Sequence, residues 1–465
     1  MDTGKEVIGK VPNPNAGIEH YTTASEVATM DFMRNVLQTP APQVYAWNSR
    51  VDRNNPVGAE YIVMERMPGI PLARIWDSLQ LQDWMKICLQ VFKYQKKWTA
   101  AKFSQFGSIY YSKDIESTTP GSRLYFDEAG HPVDSSRFIV GPAVGREWVD
   151  NGRQNLPCDR GPWLSILDLR SAIGLREAAA VKTFQQTPKQ LVMLYGPGVY
   201  QPTAAKKLAA LQSYFQIASV LLPKEPGLTT GHLWHNDLHL ENIYINPANP
   251  REILGIIDWQ SVQVMPLVDH CLDPDFLGYE GPDVGEDLEP PIIPKEVDSL
   301  DPPDRAIAIK QFYTKCLMVA WRMVVKAKNP AQYSAIQFRR SKAGHLGHLV
   351  QNIAVLGEAH ARALLLDLRD EWSETSSGPK FPIEFSEDEV AEIENDVQAA
   401  DLSIEVMGTI KGRLGDLWPE KGLSEHENYE VVMSELREIK SELMDALVKD
   451  EKDREIFLTY WPFDC

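Results

Sequence analysis

Residues 235–242 read HNDLHLEN, which sets His235, Asp237 and Asn242 in the spacing H-x-D-x-x-x-x-N. Asp258 follows sixteen residues after Asn242, closing an apolar run that begins at Ile253. Passing a phosphoryl group between two oxygens asks a protein for little covalent work and much positioning. One carboxylate must orient the attacking hydroxyl and accept its proton. Other oxygen ligands must hold magnesium, which prefers carboxylates, amides and water. Asp237 suits the first task, and Asn242 and Asp258 suit the second. His235 would brace the loop by hydrogen bonding without touching substrate. A competing chemistry is a zinc site, because His232, His235 and His239 stand close together beside Asp237. Their spacing does not match HExxH, and zinc would leave Asn242 and Asp258 without a task. The blandest alternative is an Asx-rich turn with a capping asparagine.

These residues need elements to hold them. Residues 231–264 alternate turn and strand signals, so the chemistry sits on short strands and the loops between them. Upstream, residues 5–11 (KEVIGKV) predict a strand, followed by a turn from Pro12 to Gly17. A helix is predicted from Ser25 to Leu37, with Val27, Met30, Met33 and Leu37 at helical spacing. Residues 60–64 (EYIVM) predict a buried strand that Pro68-Gly69 stops, and Asp83 to Lys102 an amphipathic helix. From Phe106 to Val140 short strands and turns dominate, with breakers at Pro120-Gly121 and Gly130. Helical periodicity returns from Leu164 to Leu222. Residues 273–303, rich in Pro, Asp and Glu, predict an exposed loop. The last helix, Glu425 to Lys449, carries a stripe of Leu436, Ile439, Leu443 and Leu447. That stripe is too short for sustained heptads and predicts a docking face.

Composition narrows the classes. With 465 residues and 43% hydrophobic content the chain can bury a large core. A formal net charge of −18 repels nucleic-acid phosphates, so a nucleic-acid partner is not expected. The acidity would favour a cationic substrate or, more simply, a well-solvated surface. Cys88, Cys158, Cys271, Cys316 and Cys465 are scattered, with no CxxC pair, which argues against a disulfide framework or cysteine zinc site. No run reaches the ~18 apolar residues of a membrane span. The N-terminal MDTGKEVIGK has neither signal-peptide nor Arg-rich transit-peptide character.

HNDLHLEN followed by IIDWQ resembles the catalytic loop and metal-binding strand of the aminoglycoside phosphotransferase and choline kinase superfamily. Protein kinases are more distant. They usually carry Lys two residues after the catalytic Asp and Asp-Phe-Gly at the metal strand, where this chain has His239 and Asp258-Trp259-Gln260. The resemblance implies that Lys10 is the strand lysine contacting ATP phosphates and Glu26 its helix partner. It also implies that Glu65, Arg66 and Met67, in YIVMERMPG, form the hinge whose backbone meets adenine. SEVATMDFMR, FGSIYY, GPAVGREW, RGPW and the terminal YWPFD resemble fungal proteins of the altered inheritance of mitochondria protein 9 type, over nearly the whole chain. That resemblance implies a mitochondrial location, with a cytoplasmic one as the alternative.

The fold expected is therefore α+β and protein-kinase-like, with a trimmed N-terminal β lobe and a mainly helical C-terminal lobe. Residues 1–66 would form the ATP-binding lobe. Residues 67–420 would form the catalytic lobe, with a hairpin insertion at about 106–160, and residues 421–465 a helical extension. Only nine residues precede Lys10, so the two strands and phosphate-covering loop of the family are not found ahead of it. This leads to an expectation of weak nucleotide binding and slow transfer. The function expected is ATP- and magnesium-dependent phosphorylation of a small-molecule hydroxyl. The alternative is a catalytically impaired pseudokinase that binds nucleotide or protein. The acceptor and the oligomeric state are not legible in the sequence.

Overall fold

The structure, a computed structural model, describes residues 4, 6–13, 15, 17–116, 123–184, 192–355, 357–375, 380–418 and 426–463. Pro120-Gly121, the start of the helix expected at Glu425, and Cys465 lie outside the described residues.

The chain opens on β1 (Val7–Lys10), α1 (Tyr21–Asn35), β2 (Val44–Asn48) and β3 (Tyr61–Glu65). β3 is the centre of an antiparallel sheet in the order β1-β3-β2. α1 starts four residues ahead of its expected position, because Thr22, Thr23 and Ala24 are buried with the rest of its first turns. β2 was not anticipated: its five residues lie between proline-rich and polar stretches that mask a strand signal.

β4 (Ile70–Pro71), α2 (Leu81–Ala100), β5 (Lys102–Phe103), β6 (Ser108–Tyr111), β7 (Arg123–Phe126), β8 (Pro132–Asp134) and β9 (Phe138–Gly141) follow. Then come α3 (Ile166–Thr183), α4 (Ala204–Ile217), β10 (Gly231–Leu233), β11 (Ile243–Asn246), β12 (Asn249–Ile256) and β13 (Val264–Pro266). The remaining elements are helical: α5 (Pro302–Lys328), α6 (Pro330–Arg340), α7 (Lys342–Val350), α8 (Glu358–Thr375), α9 (Glu387–Leu414), α10 (Tyr429–Leu447) and α11 (Glu451–Tyr460). The fold is α+β. No helix among the described residues is long and apolar enough to cross a membrane.

Contacts divide the chain otherwise than at residues 66 and 420. One compact unit comprises residues 1–172 and 222–341, and a second comprises 173–221 and 342–465. In the first, strands far apart in sequence pair in the orders β13-β10-β5-β7-β8 and β12-β11-β4, and β6 pairs with β9. The segment 273–303 corrects the expectation of a simple exposed loop. Phe276, Leu277 and Leu288 enter the main core, and Asp273 accepts hydrogen bonds from Trp321 and from Arg322 (2.8 Å to Nε). Its acidic residues hide these apolar anchors, which are too few to show a period.

The second unit is helical. α4, α7 and α8 share one apolar cluster. Buried Lys207 meets Glu358 at 3.2 Å within it, and burial, opposed by Glu358, holds the ammonium below the usual lysine pKa. The α10 stripe docks as anticipated: Leu436 and Ile439 pack with Met407, Ile410 and Leu414 of α9 and Phe457 of α11.

The core of the first unit is anchored by tryptophans. Trp98 is fully buried, donates to Thr39 Oγ1 (2.9 Å) and meets Trp234 and Trp259 edge-on at 5.3 and 6.0 Å. Replacing it removes a large side chain and leaves a buried hydroxyl without its donor. Trp98→Ala is expected to cost about 3–5 kcal/mol of stability in urea denaturation. A loss below about 1 kcal/mol would show that this core does not depend on it.

Candidate active site

Lys10, the last residue of β1, points at α1. Its Nζ lies 2.8 and 3.0 Å from the two carboxylate oxygens of Glu26 and 3.3 Å from Asp258 Oδ1. Burial opposes the charge on Lys10, but the Glu26 and Asp258 carboxylates outweigh it and raise its pKa. The lysine, the helix glutamate and the strand aspartate, separated by up to 248 residues, therefore form one ionic cluster.

A hairpin places the proposed metal ligands. Ile243 of β11 pairs with Ile256 of β12, and Ile257 N donates to the Asn242 carbonyl (2.9 Å). Asn242 thus stands at the entry of the hairpin and Asp258 at its exit. Ile243, Ile245 and Ile256 are fully buried, so the hairpin is fixed by its apolar face. Asn242 Nδ2 donates to the Asp237 carbonyl (2.9 Å), and among the described residues its Oδ1 has no hydrogen-bond partner. Asp258 keeps one carboxylate oxygen without a partner among the described residues and is 46% exposed. Its backbone is left-handed (φ 60), a conformation a residue with a Cβ seldom adopts and one that concentrates at functional sites. Trp259 next to it is fully buried and donates to the Ile256 carbonyl (2.8 Å), pinning the turn from below.

His235 Nε2 lies 2.8 Å from the Ile257 carbonyl, so this nitrogen carries the proton, and the ring meets Trp259 edge-on at 4.7 Å. Burial pushes its pKa down, opposed by that carbonyl and the nearby aspartates. It is a bracing residue, tying the loop to the strand that ends in Asp258. Asp237 carries an exposed carboxylate, 3.7 Å from His239 Nε2. His239, which stands where kinases carry lysine, also lies 3.1 Å from Asn242 Nδ2.

The expected hinge follows β3. Glu65 is committed elsewhere: it accepts from Arg34 Nη1 (2.8 Å) and from Gln43 N (3.1 Å). Arg66 pairs with Glu6. Met67 is buried against Gly255. No hydrogen bond to the backbone of Arg66 or Met67 is found among the described residues, so this backbone can still pair with a ligand. Sequence reasoning missed Arg34, which no local spacing links to Glu65. It also missed Asn236, whose Oδ1 accepts from Cys271 N (3.0 Å) and lies 3.3 Å from His270 Nδ1. Its place inside the loop was the one available signal.

The residues suit magnesium better than zinc. Asn242 and Asp258, at the entry and exit of one hairpin, supply an amide and a carboxylate oxygen, a donor set that fits an ion that keeps much of its water. The three histidines do not converge: His232 Nε2 meets Thr230, His235 meets Ile257 and His239 meets Asn242. Among the described residues no group of three His, Cys, Asp or Glu side chains is placed to ligate a metal.

A strand lysine paired with a helix glutamate, an H-x-D-x-x-x-x-N loop and an aspartate after the following hairpin define a kinase-like phosphotransferase fold. The chain resembles altered inheritance of mitochondria protein 9 of Saccharomyces cerevisiae, named as mitochondrial. It is 24% identical over 85% of this chain and 66% of that one. It is also similar to a subtelomeric hrmA-associated cluster protein of Aspergillus fumigatus, 28% identical over 99% of this chain and 92% of that one. A solved aminoglycoside phosphotransferase, APH(4)-Ia in ternary complex with ADP and hygromycin B, aligns at 12% identity over 87% of this chain and 86% of that one, with a TM-score of 0.36. No family model matches the chain.

His235 shares its burial with His232, whose pKa burial lowers to about 3, and His270, lowered to about 4. The His232 and His270 rings stay neutral in the folded protein where an unfolded histidine, with a pKa near 6.5, takes up a proton. Stability is therefore unaffected by them above pH 6.5 and falls as pH drops below it. The slope should approach about 1.4 kcal/mol per pH unit for each ring, before most carboxylates titrate. Urea denaturation at pH 7 and pH 5 is expected to show this loss, and His232→Asn to reduce it. Equal stability at the two pH values would mean that the rings are hydrated or already charged.

Proposed function

We propose that the chain is an ATP- and magnesium-dependent phosphotransferase that acts on a hydroxyl of a small molecule. The observation that carries this reading is the convergence of Lys10, Glu26 and Asp258 beside Asn242, with Asp237 exposed on the adjoining loop. Lys10 would neutralise phosphate charge while Glu26 holds its ammonium in place. The backbone at Arg66 and Met67 would take the adenine edge, while the Glu65 amide stays bound to the Gln43 carbonyl. Asn242 and Asp258 would hold magnesium, which when bound offsets the negative charge of the phosphates. Asp237 would orient the acceptor hydroxyl and take its proton as the oxygen attacks the γ-phosphorus, while the bond from that phosphorus to the β–γ bridging oxygen breaks and ADP leaves with that oxygen. His235 keeps the loop at the right distance from Asp258.

The acceptor is proposed to be a small molecule, and the net charge of −18 speaks against nucleic acid in that role. The mitochondrial name of the yeast relative supports placing this protein in mitochondria as well.

Asp237→Asn keeps the size of the side chain and removes the base. It is expected to lower kcat about 10²–10⁴-fold with ATP binding retained, read as magnesium-dependent ATP consumption across amino-alcohol, sugar and aminoglycoside acceptors. Asp258→Ala is expected to shrink the rise in melting temperature that ATP gives in magnesium. Turnover unchanged in the first variant, or a full thermal shift in the second, would remove these roles.

A further inference from the structure

A cavity of about 400 Å³ lies in the first unit and is lined by Trp47, Tyr111, Ser112, Lys113 and Arg137. Trp47 belongs to β2, the sheet edge opposite the one formed by β1 and Lys10. Lys10 and Trp47 both pair with Ile62 of the central strand, from its two sides. Two strand spacings, roughly 10 Å of backbone, thus separate them. The cavity takes no residue from the phosphoryl-transfer cluster.

Its walls are aromatic and basic. Trp47 and Tyr111 lie 6.1 Å apart at 36°, and Tyr111 stacks on Phe138 at 5.5 Å. Arg137 lies over Tyr111 and Phe138 and is ion-paired with Asp31 of α1. Tyr111 donates its hydroxyl to the same carboxylate (2.6 Å). Asp31 is therefore fully used. Lys113 differs: its Nζ stands 5.7 Å from the centroids of both Trp47 and Tyr111 and makes no ion pair or hydrogen bond among the described residues. A cation over exposed aromatic faces gains only about 0.5–1 kcal/mol from them. A positive charge without an ion-pair or hydrogen-bond partner among the described residues, offset only by the field of the adjacent Asp114 carboxylate, and two partly exposed rings remain on the wall of a cavity large enough for a small ligand.

This chemistry selects its occupant. Lys113 and Arg137 repel a cation. A single free cation among the described groups does not match a polyphosphate. The rings favour a planar body, and Lys113 favours one anionic group. We propose that this cavity is a binding site for a small organic anion with a planar ring, an aromatic carboxylate or phosphate monoester, stacked on Trp47 or Tyr111 and ion-paired with Lys113.

Isothermal titration of the full chain with benzoate and with phenyl phosphate tests this, with inorganic phosphate and benzyl alcohol as probes of each half alone. At least one ringed anion is expected to bind, at least tenfold tighter than either half, and the tighter of the two identifies the head group. Lys113→Gln is expected to weaken it about tenfold, the loss of one charge-assisted contact. Trp47→Leu should weaken it by a similar factor. Lys113 is a surface side chain, so its replacement leaves the fold intact, which circular dichroism checks. Saturating magnesium-ATP should leave the affinity unchanged, which separates this site from the proposed nucleotide site and makes the result independent of that reading. No binding at millimolar concentration, equal affinity in Lys113→Gln, or displacement by magnesium-ATP would each overturn the proposal.

Discussion

Glu26 holds a carboxylate that water does not reach, and the site is organised around neutralising it. Taking a carboxylate out of water costs several kcal/mol, and an ammonium at 2.8 Å returns an amount of the same order. The pair adds little net stability, yet removing either member would leave an uncompensated charge. This makes the geometry stiff: β1 cannot slide along α1 without separating Lys10 from Glu26. Because Lys10 also reaches Asp258, the same ion pair registers the N-terminal sheet against the hairpin exit that carries the aspartate.

The second constraint comes from the hairpin itself. Antiparallel pairing of Ile243 with Ile256 sets the entry and exit residues side by side, whatever their side chains. Asn242 and Asp258 inherit that proximity. Asp258 then turns through a left-handed conformation, which costs about 1–3 kcal/mol in a residue with a Cβ, and burial of Trp259 offsets it. The large aromatic after Asp258 thus has a mechanical reason: it fills the core beside Trp98 and His235 and so holds the carboxylate facing outward.

These two constraints explain what the sequence shows and hides. The loop from His235 to Asn242 is legible because its residues act within one turn and need fixed spacing. The β11–β12 hairpin is legible because its apolar run is local. Lys10 and Glu26 carry no meaning alone, since any solvated lysine and glutamate could stand sixteen residues apart. Only likeness to a known pattern joins them, and the buried ion pair shows them together. The sheet that joins β5 to β10 and β13 is not legible, because its strands are two to four residues long and β5 pairs with β10 across more than a hundred residues. The division into compact units is hidden for the same reason. Residues 173–183 and 204–217 are helical, as expected, whereas 192–203 form turns, and helical periodicity does not say that these helices pack with residues 342–465.

Exposure across the site then separates its tasks. His235 and Asn242 are almost wholly buried, whereas 64% of the Asp237 side chain is open to solvent. Groups that must hold position are packed and hydrogen-bonded. The group proposed to meet the acceptor is the one left exposed, with His239 at 3.7 Å its side-chain neighbour of opposite potential charge among the described residues. Fixing a short carboxylate when the acceptor arrives costs little side-chain entropy. The exposed carboxylate keeps its hydration until an incoming hydroxyl displaces that water. Burial thus sets the packed His235 and Asn242 apart from the side chains of Asp258 and Asp237, which face solvent.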